Sequence, residues 1–466
     1  MFERVRDCAS IEPTPASIES ASVGTFHSSE VSVTPARLAC TLLCLTLLAP
    51  PLGAQQRSVT LTEALRLSEA AAPSVIQAQG GVRSAGAGVR AAWGSFLPNL
   101  STSATYGTST SEQPSRVDPI SGEVLGGNIS SSSVGFGANA SFDLFTGFRR
   151  GSEMSSARAT RRSAGASLDF ERAQAALQAT TRFLSALESA ALVRVRQDGI
   201  RRAEEKRSIA IARLTTRAAT ISDSLQAEVD VAQARVQLAA VIARQSEAEA
   251  NLARVTGQDG RVSAVEDSTL YRQVMVPDAG ALLDEAASRA PSVLRAEAQA
   301  DAARANVGVN RSSYWPSLFI SANTNYNGSD RSDYTLFNTR GASVGLQWNI
   351  FNRFGRERQL AISLADRDAA EARAADARRE VGANLTTQLA ALQAAQERIQ
   401  LTSASVEAAR ANARVQTERY RLGSIGIVEL NASQDALSRA EEEFVSARFD
   451  YLRAKAQIEA ILGRQL

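Results

Sequence analysis

The strings SFLPNL (Ser95 to Leu100) and SYWPSL (Ser313 to Leu318) are near copies, and they belong to a repeat that runs through the chain. With an offset of 218, Ala72-Pro73-Ser74-Val75 falls on Ala290-Pro291-Ser292-Val293, and Pro98 falls on Pro316. From Phe142 onward the offset is 206 and needs no further gap; it pairs Phe145 with Phe351, Phe148 with Phe354, Asp223 with Glu429 and Gly257 with Gly463. Self-similarity at a fixed spacing constrains the fold strongly, because each half must build the same elements and bury matching faces. The two halves differ by a 12-residue insertion near 111–132.

Each half reads in the same order. A helical stretch (Leu61 to Gly94; Ala279 to Ser312) runs up to Pro98 or Pro316, whose ring disfavours helix in the residue before it and marks a swivel from helix into extended chain. Two strands follow. In SVGFGANASFDLF, Val134, Phe136, Ala138, Ala140, Phe142 and Leu144 point one way and Gly135, Gly137, Asn139, Ser141 and Asp143 the other. ASVGLQWNIF likewise alternates Ala342, Val344, Leu346, Trp348 and Ile350 with Ser343, Gly345, Gln347 and Asn349, the period-two mark of a strand with one apolar face. Polar loops at 110–131 and 328–340 join these to weaker partner strands, LSTSATYGTS and LFISANTNYNG, as hairpins over 98–146 and 316–352.

After each hairpin comes a long stretch without proline, Arg150 to Leu214 and Arg356 to Tyr420, which as helix spans about 100 Å. Leu385, Leu392, Ile399, Val406, Ala413 and Tyr420 recur every seventh residue there, a coiled-coil seam. A last helix, Ile221 to Thr256 and Ile427 to Leu462, sets large residues (Leu437, Phe444, Tyr451, Ile458) against small ones (Ala440, Ala447, Ala454), so that neighbouring helices interlock closely. The predicted division is therefore 1–54 as a signal and upstream extension, 55–257 as the first repeat, 258–278 as a connector and 279–466 as the second repeat.

The signal reading rests on LACTLLCLTLLAPPLGA (Leu38 to Ala54), an apolar run that follows Arg37, ends in small residues and is broken by Pro50-Pro51. Cleavage after Ala54 removes Cys8, Cys40, Cys44 and His27, which are all the cysteine and histidine in the chain. Disulfides, thiol nucleophiles, histidine-based triads and the commonest zinc ligands leave together, so neither a catalytic site nor a cofactor or metal site is expected. The net charge of +2 over 466 residues, with arginines interleaved among acids, gives no nucleic-acid footprint.

Four amphipathic strands cannot close a barrel, and in lipid an open edge leaves backbone groups unpaired, so other chains must complete the sheet. Two chains give eight strands and a filled interior; three give twelve and room for a wet lumen. Trp315, Trp348, Phe145 and Phe351, with Trp93 and Tyr314, fall at strand ends, where an aromatic girdle meets the membrane interface.

The order helix, proline, hairpin, long helix, helix, given twice over Leu61 to Leu466, resembles the TolC-type outer-membrane efflux proteins. The segment RYRLGSIGIVELNASQDALSRAEEEFVSARFDYLRAKAQIEAILG from Arg419 is similar to that family's closing helical hairpin, and SFLPNLSTSATYG and FDLFTGFRRG to its strand boundaries. The resemblance implies a fold that is mainly α with β: a homotrimer whose twelve-stranded outer-membrane barrel continues into a twelve-helix periplasmic barrel. It implies a passive exit duct of a tripartite efflux pump or type I secretion system. The partners would be a periplasmic adaptor, an inner-membrane transporter of the RND or ABC class, and outer-membrane lipid. Its gate would lie at the periplasmic tips, with Asp223 and Glu429 in an acidic constriction, Tyr420 as a retained latch residue and Gly423 at a positive-φ turn. Ala432 and Ile425 stand where an acid and a base would be expected. Read without the resemblance, Asp223 and Glu429 are first-turn acids favoured by the helix dipole, and the whole chain is open to a trimeric coiled-coil, adhesin-like stalk.

Overall fold

A computed structural model describes residues 57–117, 119–122, 124–267, 270 and 278–466. The expected signal segment and part of the connector lie outside the described residues. A short strand β1 (Arg57–Val59) leads into helices α1 (Leu61–Ala71) and α2 (Pro73–Gly94), then strands β2 (Asn99–Val117) and β3 (Val124–Phe145). Helices α3 (Arg149–Thr215) and α4 (Ile221–Val255) follow, and then strand β4 (Val262–Ala264). The same order then recurs as α5 (Ala279–Arg289), α6 (Pro291–Arg311), β5 (Ser317–Ser329), β6 (Phe337–Gln347), α7 (Gly355–Arg421) and α8 (Ile427–Leu462).

Helices α3 and α7 are each 67 residues long, about 100 Å, within a residue or two of their expected limits. The expected single stretches before each hairpin are instead two helices apiece. Pro73 and Pro291 open the second of each pair at the first helical position, and the residues before them, Ala72 (ψ 121°) and Ala290 (ψ 134°), are forced out of helix by the proline ring. Where strand gives way to long helix, Phe148 (φ 66°) and Phe354 (φ 61°) both take the left-handed conformation. The two exits are built alike.

The four long strands form one antiparallel sheet in the order β2-β3-β5-β6, with β2 and β6 at its edges. Leu100, Ala104 and Tyr106 share a face with Val134, Phe136 and Phe142, with Ile320 and Tyr326, and with Val344 and Leu346. This apolar face is exposed along much of its length. On the opposite face glycines face asparagines: a Cβ on Gly137 would come 2.7 Å from Asn325 Oδ1, and one on Gly341 would lie 3.0 Å from Asn323 Oδ1. Two strand expectations need correction. The polar stretch 110–131, read as a loop, mostly continues the β2–β3 ladder, with the hydroxyls of Thr110 and Ser130 3.1 Å apart across it. Strand β6 ends at Gln347, short of the expected Phe351.

The apolar core lies along the helices. Phe183, Leu184, Leu252, Leu385, Phe449 and Ile458 are buried together where α1, α3, α4, α7 and α8 converge with the parallel pair β1–β4. The expected heptad seam is largely buried, with Leu385, Leu392, Val406, Ala413 and Tyr420 inside. Among the described residues no helix is long and apolar enough to cross a membrane.

Gly147, at φ 62°, sits under the β5 boundary, and a Cβ there would lie 2.6 Å from Trp315 Cβ and 2.8 Å from the Ser312 carbonyl. Gly88, inside α2, has open space around it. Gly147→Ala is expected to lower the thermal unfolding midpoint in detergent, since the left-handed conformation alone costs an alanine about 1 kcal/mol before any clash. Gly88→Ala is expected to raise it slightly through helix propensity.

Candidate functional site

The helical tips are two short turns, between α3 and α4 and between α7 and α8. Gly423 takes φ 82° as expected, but its counterpart Arg217 is also left-handed, at φ 59°. The two turns therefore share a backbone path that the sequence difference hid. Both close with the same hydrogen bonds: Ala218 N donates to Arg213 O at 2.8 Å, and Ser424 N to Arg419 O at 2.9 Å.

Asp223 and Glu429 stand at matching places just past these turns, and both bond to the residue just before their helix. Thr220 N donates to Asp223 Oδ2 at 3.0 Å while Asp223 N donates to Thr220 Oγ1 at 3.2 Å, a reciprocal cap. Gly426 N donates to Glu429 Oε2 at 3.1 Å. The helix-capping role is thus observed for both acids. Each carboxylate uses one oxygen in its cap, at a place where the helix N-terminus favours an acid.

Tyr420 is fully buried in a small cluster with Ile209, Ala210, Ala227, Ile427 and Leu430. The Arg213 guanidinium lies over its ring, 4.6 Å from the centroid, and Arg213 Nη2 donates to Ala218 O at 2.9 Å. Burial pushes the Tyr420 phenol above its ordinary value; the nearby Arg213 charge opposes this and Asp223 adds to it. Tyr420 thus joins the last turn of α7 to the last turns of α3, and Arg213, which the sequence reading passed over, completes the contact.

About two turns back from the tip lies a buried polar network that sequence reasoning missed. Lys206, only 4% exposed, donates to Asp230 Oδ2 and to Asn431 Oδ1, each at 2.6 Å. Asn431 Nδ2 donates to Asp230 Oδ2 at 3.0 Å, and Gln226 Nε2 to Asp230 Oδ1 at 2.9 Å. One lysine thereby ties α3 to both α4 and α8. Further along, Arg202 bonds Ser438 and Glu441, and Arg196 pairs with Glu442. Burial pushes the Glu442 carboxyl up against the opposing pull of Arg196. Lysine, aspartate and arginine at helical spacing look like a solvated face in the sequence; only the third helix turns them into an interior.

At the other end, Pro98 and Pro316 directly precede β2 and β5. Trp315, Trp348 and Phe351 are exposed. Phe145 stacks edge-on against Phe148, and Phe351 against Phe354, at 5.3 and 5.4 Å. Trp348 Nε1 donates to Tyr314 O at 3.2 Å, and the Arg356 guanidinium lies 4.6 Å from the Tyr314 ring centroid. These rings pack at the strand-helix junction, with Phe148 and Phe354 exposed as well and Phe145 and Tyr314 half-buried.

An open sheet with one apolar face, set on helices some 100 Å long, defines a membrane-embedded protein of the outer-membrane channel class. The sequence pattern of the family described as outer membrane efflux protein matches residues 64–258 and 282–464, and the chain belongs to that family, the TolC-type outer-membrane efflux proteins. It is an outer-membrane protein reaching into the periplasm. The fold is shared with CusC (16% identity, TM-score 0.74, covering 90% of this chain and 95% of that one). It is shared also with the outer membrane protein VceC of Vibrio cholerae (17%, 0.71, 87% and 96%) and the CmeC outer membrane channel of Campylobacter jejuni (14%, 0.73, 86% and 85%). Among curated proteins no sequence matches this chain.

Removing Asp230 strands a buried ammonium. Asp230→Ala is expected to cost about 3 kcal/mol of stability, read by denaturant unfolding of the detergent-solubilised protein, and Lys206→Met in the same chain is expected to recover most of it. An additive loss from the two changes would contradict the coupling.

Proposed function

We propose that the protein is a passive exit duct: three copies share one twelve-stranded barrel, continuous with a twelve-helix tunnel formed by α3, α4, α7 and α8. The observation that carries this reading is the pairing, in one chain, of an edge-open amphipathic sheet with two helices that are each long enough to reach about 100 Å from it. Hairpins in both halves, each followed by helices, favour a duct over an adhesin-like stalk. Work would be supplied by an inner-membrane transporter of the RND or ABC class, through a periplasmic adaptor that grips the tips, in efflux or in type I secretion. The duct itself performs no catalysis.

The tips are the gate. Three copies of Asp223 and Glu429 bring six carboxylates toward one axis, where like charges repel and cations gather. Tyr420, held under Arg213, latches the end of α7 against α3 and α4, and opening requires that contact to part. Pro98 and Pro316 are the swivels at which tunnel helix becomes barrel strand.

Capping and charge can be separated by substitution. Asp223→Asn with Glu429→Gln keeps an acceptor for each cap N–H and removes six charges from the trimer. Single-channel recordings in planar bilayers are expected to show block by multivalent cations weakened at least tenfold. Unchanged block would place the acids in capping alone.

A further inference from the structure

The repeat builds one three-residue cluster at both strand-helix junctions, and the two copies of it are completed differently. In the second half Trp348, Tyr314 and Arg356 meet; by the offsets of 206 and 218 their counterparts are Phe142, Phe96 and Arg150. Each guanidinium lies against an aromatic ring. Arg356 is 4.6 Å from the Tyr314 centroid, and Arg150 is 4.9 Å from that of Phe142 and 5.7 Å from that of Phe96. Arg356 spends its donors within the chain: Nε donates to Glu357 Oε1 at 2.8 Å, Nη1 to Asn349 O at 2.7 Å and Nη2 to Ile350 O at 2.8 Å.

Arg150 has none of these acceptors. Gly151 stands where Glu357 would be. Asp143 and Leu144, the counterparts of Asn349 and Ile350, still belong to strand β3, with Asp143 opposite Phe319 of β5. The nearest carboxylate along the chain, that of Glu153, pairs with Arg149 at 3.6 Å. The Arg150 backbone N–H donates to Thr146 Oγ1 at 3.4 Å, but among the described residues nothing accepts from its guanidinium, which the two rings hold half-buried. A half-buried cation without an acceptor is destabilising, and a rigid fork of N–H donors matches the oxygens of a phosphate.

The position of the cluster says which phosphate. Phe142 stands in register with Ile320 and Val344 on the apolar face of the sheet, so Arg150 lies on the side that meets lipid. Trp93, 6.1 Å from Phe96, continues that face with Leu97 and Leu100, and all three are exposed. The helices leave the sheet toward the periplasm, which puts the cluster at the depth of the periplasmic-leaflet headgroups. We propose that Arg150, held between Phe96 and Phe142, binds the phosphate of an anionic phospholipid of that leaflet, one per chain. A net negative headgroup is favoured over a zwitterionic one, because Arg149 and Glu153 cancel and Arg150 leaves one positive charge over. The site is complete within one chain, so it stands apart from how copies share a barrel.

Native mass spectrometry of the delipidated full-length protein, titrated in neutral detergent with phosphatidylglycerol, counts the lipid bound per chain. The wild type is expected to hold one phosphatidylglycerol per chain and to bind phosphatidylcholine distinctly more weakly. Arg150→Gln is expected to weaken phosphatidylglycerol binding about tenfold or more, the loss of one charge-assisted contact. Gly151→Glu copies Glu357 at a position where an added Cβ meets nothing within 4 Å, so it is expected to occupy Arg150 and weaken binding as much with the fold intact. Gly151→Ala is expected to bind as the wild type does. Unchanged binding in Arg150→Gln, an equal loss in Gly151→Ala and Gly151→Glu, or equal retention of phosphatidylcholine would overturn the proposal. Displacement of the lipid by an equal concentration of inorganic phosphate would give the site to a free anion and overturn the lipid as its occupant.

Discussion

The structure depends on one constraint: a backbone polar group facing hydrocarbon must find a partner. Strand β6 has 11 residues and β2 has 19, and each is an outer edge of the sheet. Half the N–H and C=O groups of an edge strand point away from its one neighbour, so the β6 edge alone leaves on the order of ten of them unpaired. At several kcal/mol each in lipid, that exceeds the 5–15 kcal/mol by which a folded protein is ordinarily stable. Identical copies sharing one barrel, as proposed, would satisfy both edges at once, because an edge of one kind would meet an edge of the other.

The helices answer a different problem. Most of their exposed faces are polar, and their buried residues form a thin line of alanine, leucine and valine along each seam. Such a line gives length without a globular core, and the tip is held by specific groups instead: Lys206 shared between two helices, Arg213 over Tyr420, and two capped helix starts. A tip built this way concentrates its stability in a few contacts. Parting α7 from α3 at Tyr420 disturbs a six-residue apolar cluster and leaves the main core, nearer the middle of the helices, intact.

Much of this was legible in the sequence because the chain states its plan twice. The offset of 206 placed Asp223 against Glu429 and gave the long helices nearly their observed limits. What stayed hidden needed a third element to become visible. Lys206, Asp230 and Asn431 are unremarkable on three separate helices and become an interior only when those helices meet. Strands β1 and β4, of three residues each, are too short for any period to show. Arg217 gave no sign of a left-handed turn, since the surrounding fold imposes it on a residue that does not favour it. The polar stretch 110–131 read as loop because it lacks an alternating apolar face, although its backbone continues the β2–β3 ladder. The acids at the tip were found, but only the structure showed them capping helices.

The mass of the assembly tests the central claim most directly. Native mass spectrometry of the protein released from detergent micelles is predicted to find three copies of the chain in one particle. A stable particle containing a single copy would contradict the account, since it would mean that a four-stranded sheet tolerates two open edges in a membrane.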